Sequence, residues 1–276
     1  MRFPQVLNIV KEHFAEKKWS FLLFGCLVGL LGYGIILIMN QMNFAQLSQT
    51  LSGFPKALIA WWGGIANATQ PYGFFTSEVF SFTWLYMGIY LVYMASSTGL
   101  PQEVEDQTLD LVLSKPIRRT TYLAGKILFL FAFLAGTLAI VMLIIAVGMG
   151  TSPAFQSYGL YWNRLGGVYL ITLLHLGTLI TAAVFFGTIF LSVKRTLAAA
   201  LALMFFMYFL GTFWQYFPAS AQGIKYVTTW FYYNPMEVFG QGIFNNLIRN
   251  TLVLSGFNAA FIVASLLIFR KRDIPV

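Results

Sequence analysis

The residues able to do chemistry crowd into one stretch. Positions 103–126 read EVEDQTLDLVLSKPIRRTTYLAGK. Glu103, Glu105, Asp106 and Asp110 come first, and Lys115, Arg118, Arg119 and Lys126 follow. Acids at the start of a helix and bases at its end both complement the helix dipole. Pro101 can open such a helix and Pro116 can close it. Val104, Leu109, Val112 and Leu113 supply an apolar side. Residues 101–116 are therefore expected to form an amphipathic surface helix that docks against something. The plainer reading is a solvated loop helix.

Elsewhere ionisable groups are sparse. Glu78 and His175 lie in apolar runs. A charge at mid-bilayer costs roughly 2.5–3.5 kcal/mol, so a group retained there faces a cavity or a partner. His175 reads first as a neutral, hydrogen-bonded packing residue and second as a cavity residue. Glu78 reads as an interfacial group within reach of water. Cys26 is the only cysteine, which rules out an internal disulfide and a cysteine metal site. His13 and His175 are the only histidines, so no histidine metal site is expected. No acid ladder marks a proton relay, and no ring of acids marks a cation pore. No aspartate lies where a Ser/His/Asp triad would need one. Gly125-Lys126 is followed by Ile127, and no G-x-x-x-x-G-K-[ST] occurs. The chain itself is expected to hold no catalytic residue, cofactor or metal.

The elements that must position these residues are membrane helices. The 276 residues are 58% hydrophobic and 9% charged, with a mean hydropathy of +0.73. A soluble domain carries about 25% charged residues. A bilayer takes about 20 apolar residues per helix. Six spans are expected, over 20–39, 76–95, 123–148, 166–192, 197–217 and 249–269. A very short turn at Lys194 and Arg195 forces spans four and five into an antiparallel hairpin. The N-terminus does not read as a cleavable signal, because acids stand among its bases and no small-x-small site follows. Phe3, Leu7, Val10 and Phe14 share one helical face, so residues 1–19 are expected to lie on the inner leaflet as an amphipathic helix. Gly25 and Gly29 form a GxxxG that lets another helix approach closely. Contact within the chain is the plain reading, and the seam between two copies is the sharper one. The whole chain, 1–276, reads as one membrane domain.

Lys and Arg set the orientation. With both termini inside, thirteen of the 17 fall in inner segments. Only Lys56, Arg164, Lys225 and Arg249 fall outside. The net charge of +8 thus orients helices and does not point to nucleic acid. Aromatic residues crowd the outer side: Trp61, Trp62, Trp162, Trp214, Trp230, Tyr226, Tyr232 and Tyr233. An interfacial belt accounts for them, and a surface handling amphiphilic cargo is the sharper alternative. Residues 40–75 and 218–247 are too long for turns and can lie in the interface or dip back.

The run Glu105, Thr108-Leu109-Asp110, Leu113-Ser114, Pro116, Arg119, Leu123 and Gly125-Lys126 resembles the E-x-G-T-L-E-x-L-L-S-x-P-x-x-R…L-x-G-K signature of type-2 ABC transporter permeases. The ending Phe269-Arg270-Lys271-Arg272-Asp273-Ile274 resembles the same family's F-x-R-R-D-I, and Tyr233-Asn234-Pro235 its aromatic-Asn-Pro step. The chain departs at Gln107, where the family has Gly, and at Asp110, where it has Glu. Gln107 suggests a straighter helix.

The resemblance implies an all-α integral membrane fold: six spans, an inner-leaflet helix, a coupling helix between spans two and three, and a re-entrant or interfacial segment before span six. It implies that Glu103, Glu105, Asp106, Thr108, Leu109, Asp110, Pro116 and Arg119 face an ATPase. Partners would be two ABC ATPase subunits, which bind ATP and magnesium, and a second permease copy or paralogue, with spans one and five near the seam. The protein would sit in the cytoplasmic membrane and export a hydrophobic or amphipathic substrate. The alternative is a module that passes force or signal across the membrane without moving a small molecule. An intramembrane enzyme is not supported.

Overall fold

The computed structural model describes residues 3–54, 65–109 and 117–272. The described residues form helices and turns, with no strand among them. Six helices are long and apolar enough to cross a bilayer. They are span one (Phe3–Met39), span two (Pro71–Glu105), span three (Arg119–Thr151), span four (Trp162–Phe190), span five (Val193–Phe213) and span six (Leu247–Lys271). The end of the bundle that holds Phe3 and Lys271 is called inner after its Lys- and Arg-rich pattern, and the end that holds Met39 and Leu247 is called outer.

Every expected span is present, and most extend past the apolar run. Hydropathy marks only the hydrocarbon crossing, whereas a helix continues while its backbone bonds are made. Span one shows this most. Its 37 residues run about 55 Å at 1.5 Å per residue, against a hydrocarbon core of about 30 Å. The separate inner-leaflet helix over 1–19 is not found: residues 3–19 continue into span one without a break.

Span three explains why. It starts at Arg119 and runs parallel to span one, so the two inner extensions pack on each other. A Cβ at Gly125 would lie 3.0 Å from Ile9, and one at Gly136 would lie 2.6 Å from Phe21. From the other side, a Cβ at Gly25 would meet Ile140 at 3.2 Å and one at Gly29 would meet Ile144 at 2.6 Å. Each helix thus offers glycine hollows to the other's large side chains, and dispersion contacts accumulate along the pair. Phe14 adds edge contacts to Phe129. This corrects the seam reading of Gly25 and Gly29, whose hollows are filled by span three of the same chain.

Span four is the centre. Over an 18-residue apolar stretch 72% of its residues are buried, against 28% for the like stretch of span one and 22% for those of spans five and six. The outward faces of the peripheral spans carry Leu23, Leu30, Ile248 and Leu252, all exposed and apolar. That is the composition a lipid-facing surface needs. Polar side chains join span six to span four. Asn258 Nδ2 donates to Leu174 O at 3.0 Å, and Thr181 Oγ1 donates to Asn258 Oδ1 at 3.4 Å.

Span two is irregular. It contains two widened π turns, Thr76–Phe80 and Trp84–Gly88. Such turns loosen the carbonyl ladder and need outside donors. Tyr86 donates to Val79 O at 3.2 Å, and Tyr233 donates to Phe80 O at 2.8 Å. Spans four and five meet in a tight hairpin. Leu191 takes a left-handed φ of 50°, and Ser192 stands at the N-cap position of the next helix without a side-chain cap bond. The turn is at 191–192, so Lys194 and Arg195 belong to the first turn of span five.

Candidate functional site: the charged segment after span two

Span two does not run straight into the charged block. The chain bends at Thr98-Gly99 and then forms a short helix, Leu100–Glu105, with Pro101 in its first turn. Gly99 is needed at the bend, because a Cβ there would lie 2.5 Å from Ala95 O. The helix ends in a Schellman motif. Thr108 N–H donates to Glu103 O at 2.9 Å, and Gln107 N–H donates to Val104 O at 3.2 Å. Gln107 takes the left-handed position, with φ 55°. The expected unbroken helix over 101–116 is thus corrected: it is interrupted by a turn at 106–108, and its residues 110–116 lie outside the described residues. Gln107 stands where the resembled family has glycine, in the one conformation that favours glycine.

Two carboxylates fasten this helix to the bundle. Glu103 meets span three. Its Oε1 accepts from Lys126 Nζ at 2.5 Å and from the hydroxyl of Tyr122. Lys126 is 3% exposed and also donates to Thr98 O at 2.7 Å, which staples the bend. Glu103 Oε2 is buried with no hydrogen-bond partner among the described residues. A buried ion pair of this kind is costly to break from one side, because the remaining charge is left uncompensated.

Glu105 meets span five. Its Oε1 accepts from Val193 N–H at 2.8 Å and from Ser192 Oγ at 3.0 Å. Lys194 and Arg195 put positive charge at that helix start, where the dipole disfavours it. The compensating acid arrives from a segment 88 residues away.

Other predicted residues sit around this joint. Asp106 is exposed and accepts from Gln102 Nε2 at 2.9 Å. Thr108 is exposed in the turn, and Leu109 is buried at 2% exposure. Arg119 donates to Arg272 O at 2.9 Å, and Arg272 donates to Thr188 O at 3.0 Å. That chain joins the inner ends of spans three, six and four. Asp110 and Pro116 lie outside the described residues. Sequence reasoning placed Lys126 only in a motif and did not find Tyr122, Ser192, Thr188 or Arg272 as partners. The acid-first pattern could have pointed to Ser192, since a helix start flanked by two bases needs an anion.

The outer segment before span six is a second joint. It comprises a 3-10 stretch (Ala219–Val227), a short helix (Thr229–Tyr232) and a π turn (Met236–Gly240). It folds back onto spans two, four and five. Thr228 Oγ1 donates to Met207 O at 2.7 Å. Tyr233 stacks flat on His175 at 4.5 Å, and Trp230 meets the same imidazole edge-on at 4.5 Å. Burial pushes the Tyr233 hydroxyl above its ordinary range, so it stays a neutral donor. His175 is fully buried, and neither ring nitrogen has a hydrogen-bond partner among the described residues. It is a packing residue, held by rings where hydrogen bonds were expected. Glu78 is half-buried in the first π turn of span two.

Beside this segment lies a cleft of about 390 Å³. Ser81, Thr212, Trp214, Gln215, Trp230 and Phe231 are among its walls, and no charged side chain lines it among the described residues. Arg164 closes the far side of the outer end. Its guanidinium lies 4.6 Å from the Tyr72 ring and 4.4 Å from the Tyr161 ring, and it donates to Gly240 O at 3.2 Å.

A six-span helical bundle whose charged inner loop is bolted to spans three and five can now be set beside known proteins. No curated protein sequence matches the chain. The model of the family described as ABC-2 family transporter protein matches residues 8–274. That match covers nearly the whole chain, and the chain therefore belongs to the ABC-2 transporter family, as a multi-pass membrane permease.

Proposed function

We propose that this permease is the membrane half of an ATP-driven exporter that moves a hydrophobic or amphipathic molecule outward. Two separate ATPase subunits bind ATP with magnesium and hydrolyse it. A second permease copy or a paralogue completes the pair. The complex lies in the cytoplasmic membrane with both permease termini inside, as the distribution of Lys and Arg supports.

The observation that carries the reading is the double tether of the Leu100–Glu105 helix. A push on that helix from the inner side reaches span three through Glu103–Lys126 and span five through Glu105–Val193. Ion pairs and caps are directional, so displacement is passed on and not absorbed. The free energy of ATP hydrolysis thereby becomes relative movement of the spans.

The test uses the permease purified with its ATPase partner and reconstituted in inside-out vesicles. ATP should drive a labelled amphiphile into the vesicles. Glu105→Ala should leave the complex assembled and ATP hydrolysis present while uptake falls. Unchanged uptake in Glu105→Ala would remove the coupling role of this helix. Hydrolysis with no cargo moved by the unmodified complex would favour the force- or signal-transmitting alternative.

A further inference from the structure

Span five carries a stripe of rings on its outward face. Phe206, Phe209, Phe213 and Tyr216 follow one another at helical spacing, which puts them on one side of the helix. Phe206, Phe209 and Tyr216 are exposed. Phe209 meets Phe213 at 5.0 Å between ring centres, and Phe213 meets Tyr216 at 6.2 Å. At 1.5 Å per residue the stripe covers about 15 Å, half the hydrocarbon thickness. It ends in the outer cleft, because Phe213 and Tyr216 are also cleft walls. A lipid-exposed ring face and the cleft thus form one continuous surface.

The rest of the cleft is rings and neutral polar groups. Ser81 comes from span two, Thr212 and Gln215 from the end of span five, and Asn234 from the outer segment. No charged side chain lines the cleft among the described residues. Lys225 rests on the rings of Trp214 and Phe231 at 4.0 and 5.4 Å but is not itself a wall residue. Glu237, also off the walls, accepts from Asn246 Nδ2 at 2.6 Å and from Asn234 Nδ2 at 3.2 Å. A charged head on these walls would give up water with no opposite charge there to receive it. An uncharged head can exchange hydrogen bonds with the hydroxyls and amides, and the rings accept its apolar faces.

We infer that this surface binds an uncharged bilayer amphiphile, its hydroxyl- or amide-bearing head in the cleft and its apolar chain along Phe209 and Phe206. The cleft volume of about 390 Å³ lies in the range of about 300–1,000 Å³ usual for small-molecule sites. The stripe is as long as one leaflet is thick, so a chain reaches the cleft without leaving hydrocarbon. A second permease copy packed on the stripe would need no polar walls at its end, whereas an amphiphile needs both parts. The proposal deepens the exporter reading by naming the class of cargo, and it rests on that reading for this meaning. Binding is read without ATP, so its failure leaves the coupling reading standing, and failed uptake leaves binding standing.

The experiment uses the full-length permease in neutral-lipid nanodiscs. Three C12 probes share a diazirine in the chain and differ in the head, which is a glucoside, a carboxylate or a trimethylammonium. Labelled peptides are mapped by mass spectrometry. The glucoside probe should label 205–216 above either charged probe by about fivefold, the mild end of the cost of burying an unpaired group. Unlabelled dodecyl glucoside should compete, and dodecane should not. Phe209→Ala should cut the labelling about threefold, the size of one ring contact. Gln215→Lys should draw the carboxylate probe, and Gln215→Glu the trimethylammonium probe. Each variant must keep the parent's melting temperature and elution volume, and either Gln215 variant decides if the other does not fold. Equal labelling by the three heads, competition by dodecane, or an unchanged head preference in the folded Gln215 variants would overturn the proposal. So would a disulfide between copies of Phe209→Cys in a Cys26→Ser background with no labelling of 205–209, because a second copy would then be the occupant.

Discussion

The two ends of the bundle fasten their loops by different forces. At the inner end, Glu103 grips Lys126 and Tyr122, Glu105 caps Val193, and Arg119 grips the backbone of Arg272. At the outer end, Tyr233 and Trp230 lie on His175, Lys225 lies on Trp214, and Arg164 lies against two neighbouring tyrosines, Tyr72 and Tyr161. Hydrogen-bonded charges weaken steeply once misaligned. Ring faces tolerate offsets, because dispersion and quadrupole terms vary gently with lateral shift. The inner joint is therefore suited to passing on a push. The outer joint is suited to yielding while it stays packed.

The hardest blow to this contrast falls on the buried inner pair. Lys126→Met should cost about 3–5 kcal/mol, because it strands the Glu103 carboxylate. Thermal unfolding in detergent measures it. Pairing the change with Glu103→Leu should recover much of the loss, and no recovery would mean that the pair is not what Lys126 supports.

Next comes the span-five cap. Glu105→Ala should cost about 1 kcal/mol, the usual worth of a cap, and Glu105→Gln should cost less because it keeps an acceptor. Hydrogen exchange at Val193 and the residues after it should quicken in the alanine variant. Unaltered exchange there would detach the helix from span five.

At the outer end, Tyr233→Phe removes the donor to Phe80 O while keeping the ring on His175. The loss should stay near 0.5–1.5 kcal/mol, the net worth of one hydrogen bond. A loss as large as that of Lys126→Met would erase the contrast between the two ends.

The smallest expected change is a gain. Left-handed backbone costs a non-glycine residue about 1–2 kcal/mol, and glycine returns part of that through its freer unfolded chain. Gln107→Gly should therefore stabilise by about 0.5 kcal/mol, read as a slight rise in melting temperature. A loss would show that the Gln107 side chain contributes something the turn geometry does not explain.

Much of the fold was legible because it depends on local properties. The apolar run of residues 123–148 needs no partner to be recognised as a span. Span one was misjudged at its start, because residues 3–19 are amphipathic alone and become a continuation only against span three. The charged block was legible as a surface element through its acids and prolines. Its break after Glu105 was not, because the turn depends on Gln107 accepting a left-handed φ of 55°. Gly25 and Gly29 announced a close approach, and nothing in the spacing said to which helix.

By itself the sequence determined that the chain lies in a membrane, crosses it six times and carries its charged block on the Lys- and Arg-rich side. Those follow from hydrocarbon length and local charge, which a linear string displays. Only the tertiary structure decided that Glu105 caps Val193, that Tyr233 serves Phe80 across 153 residues, and that Lys225 rests on the rings of a cleft. The physical reason is that such pairings depend on which helices become neighbours. Neighbours are chosen by side-chain packing, with glycine hollows receiving Ile140 and Ile144, and that choice leaves no local periodicity to read.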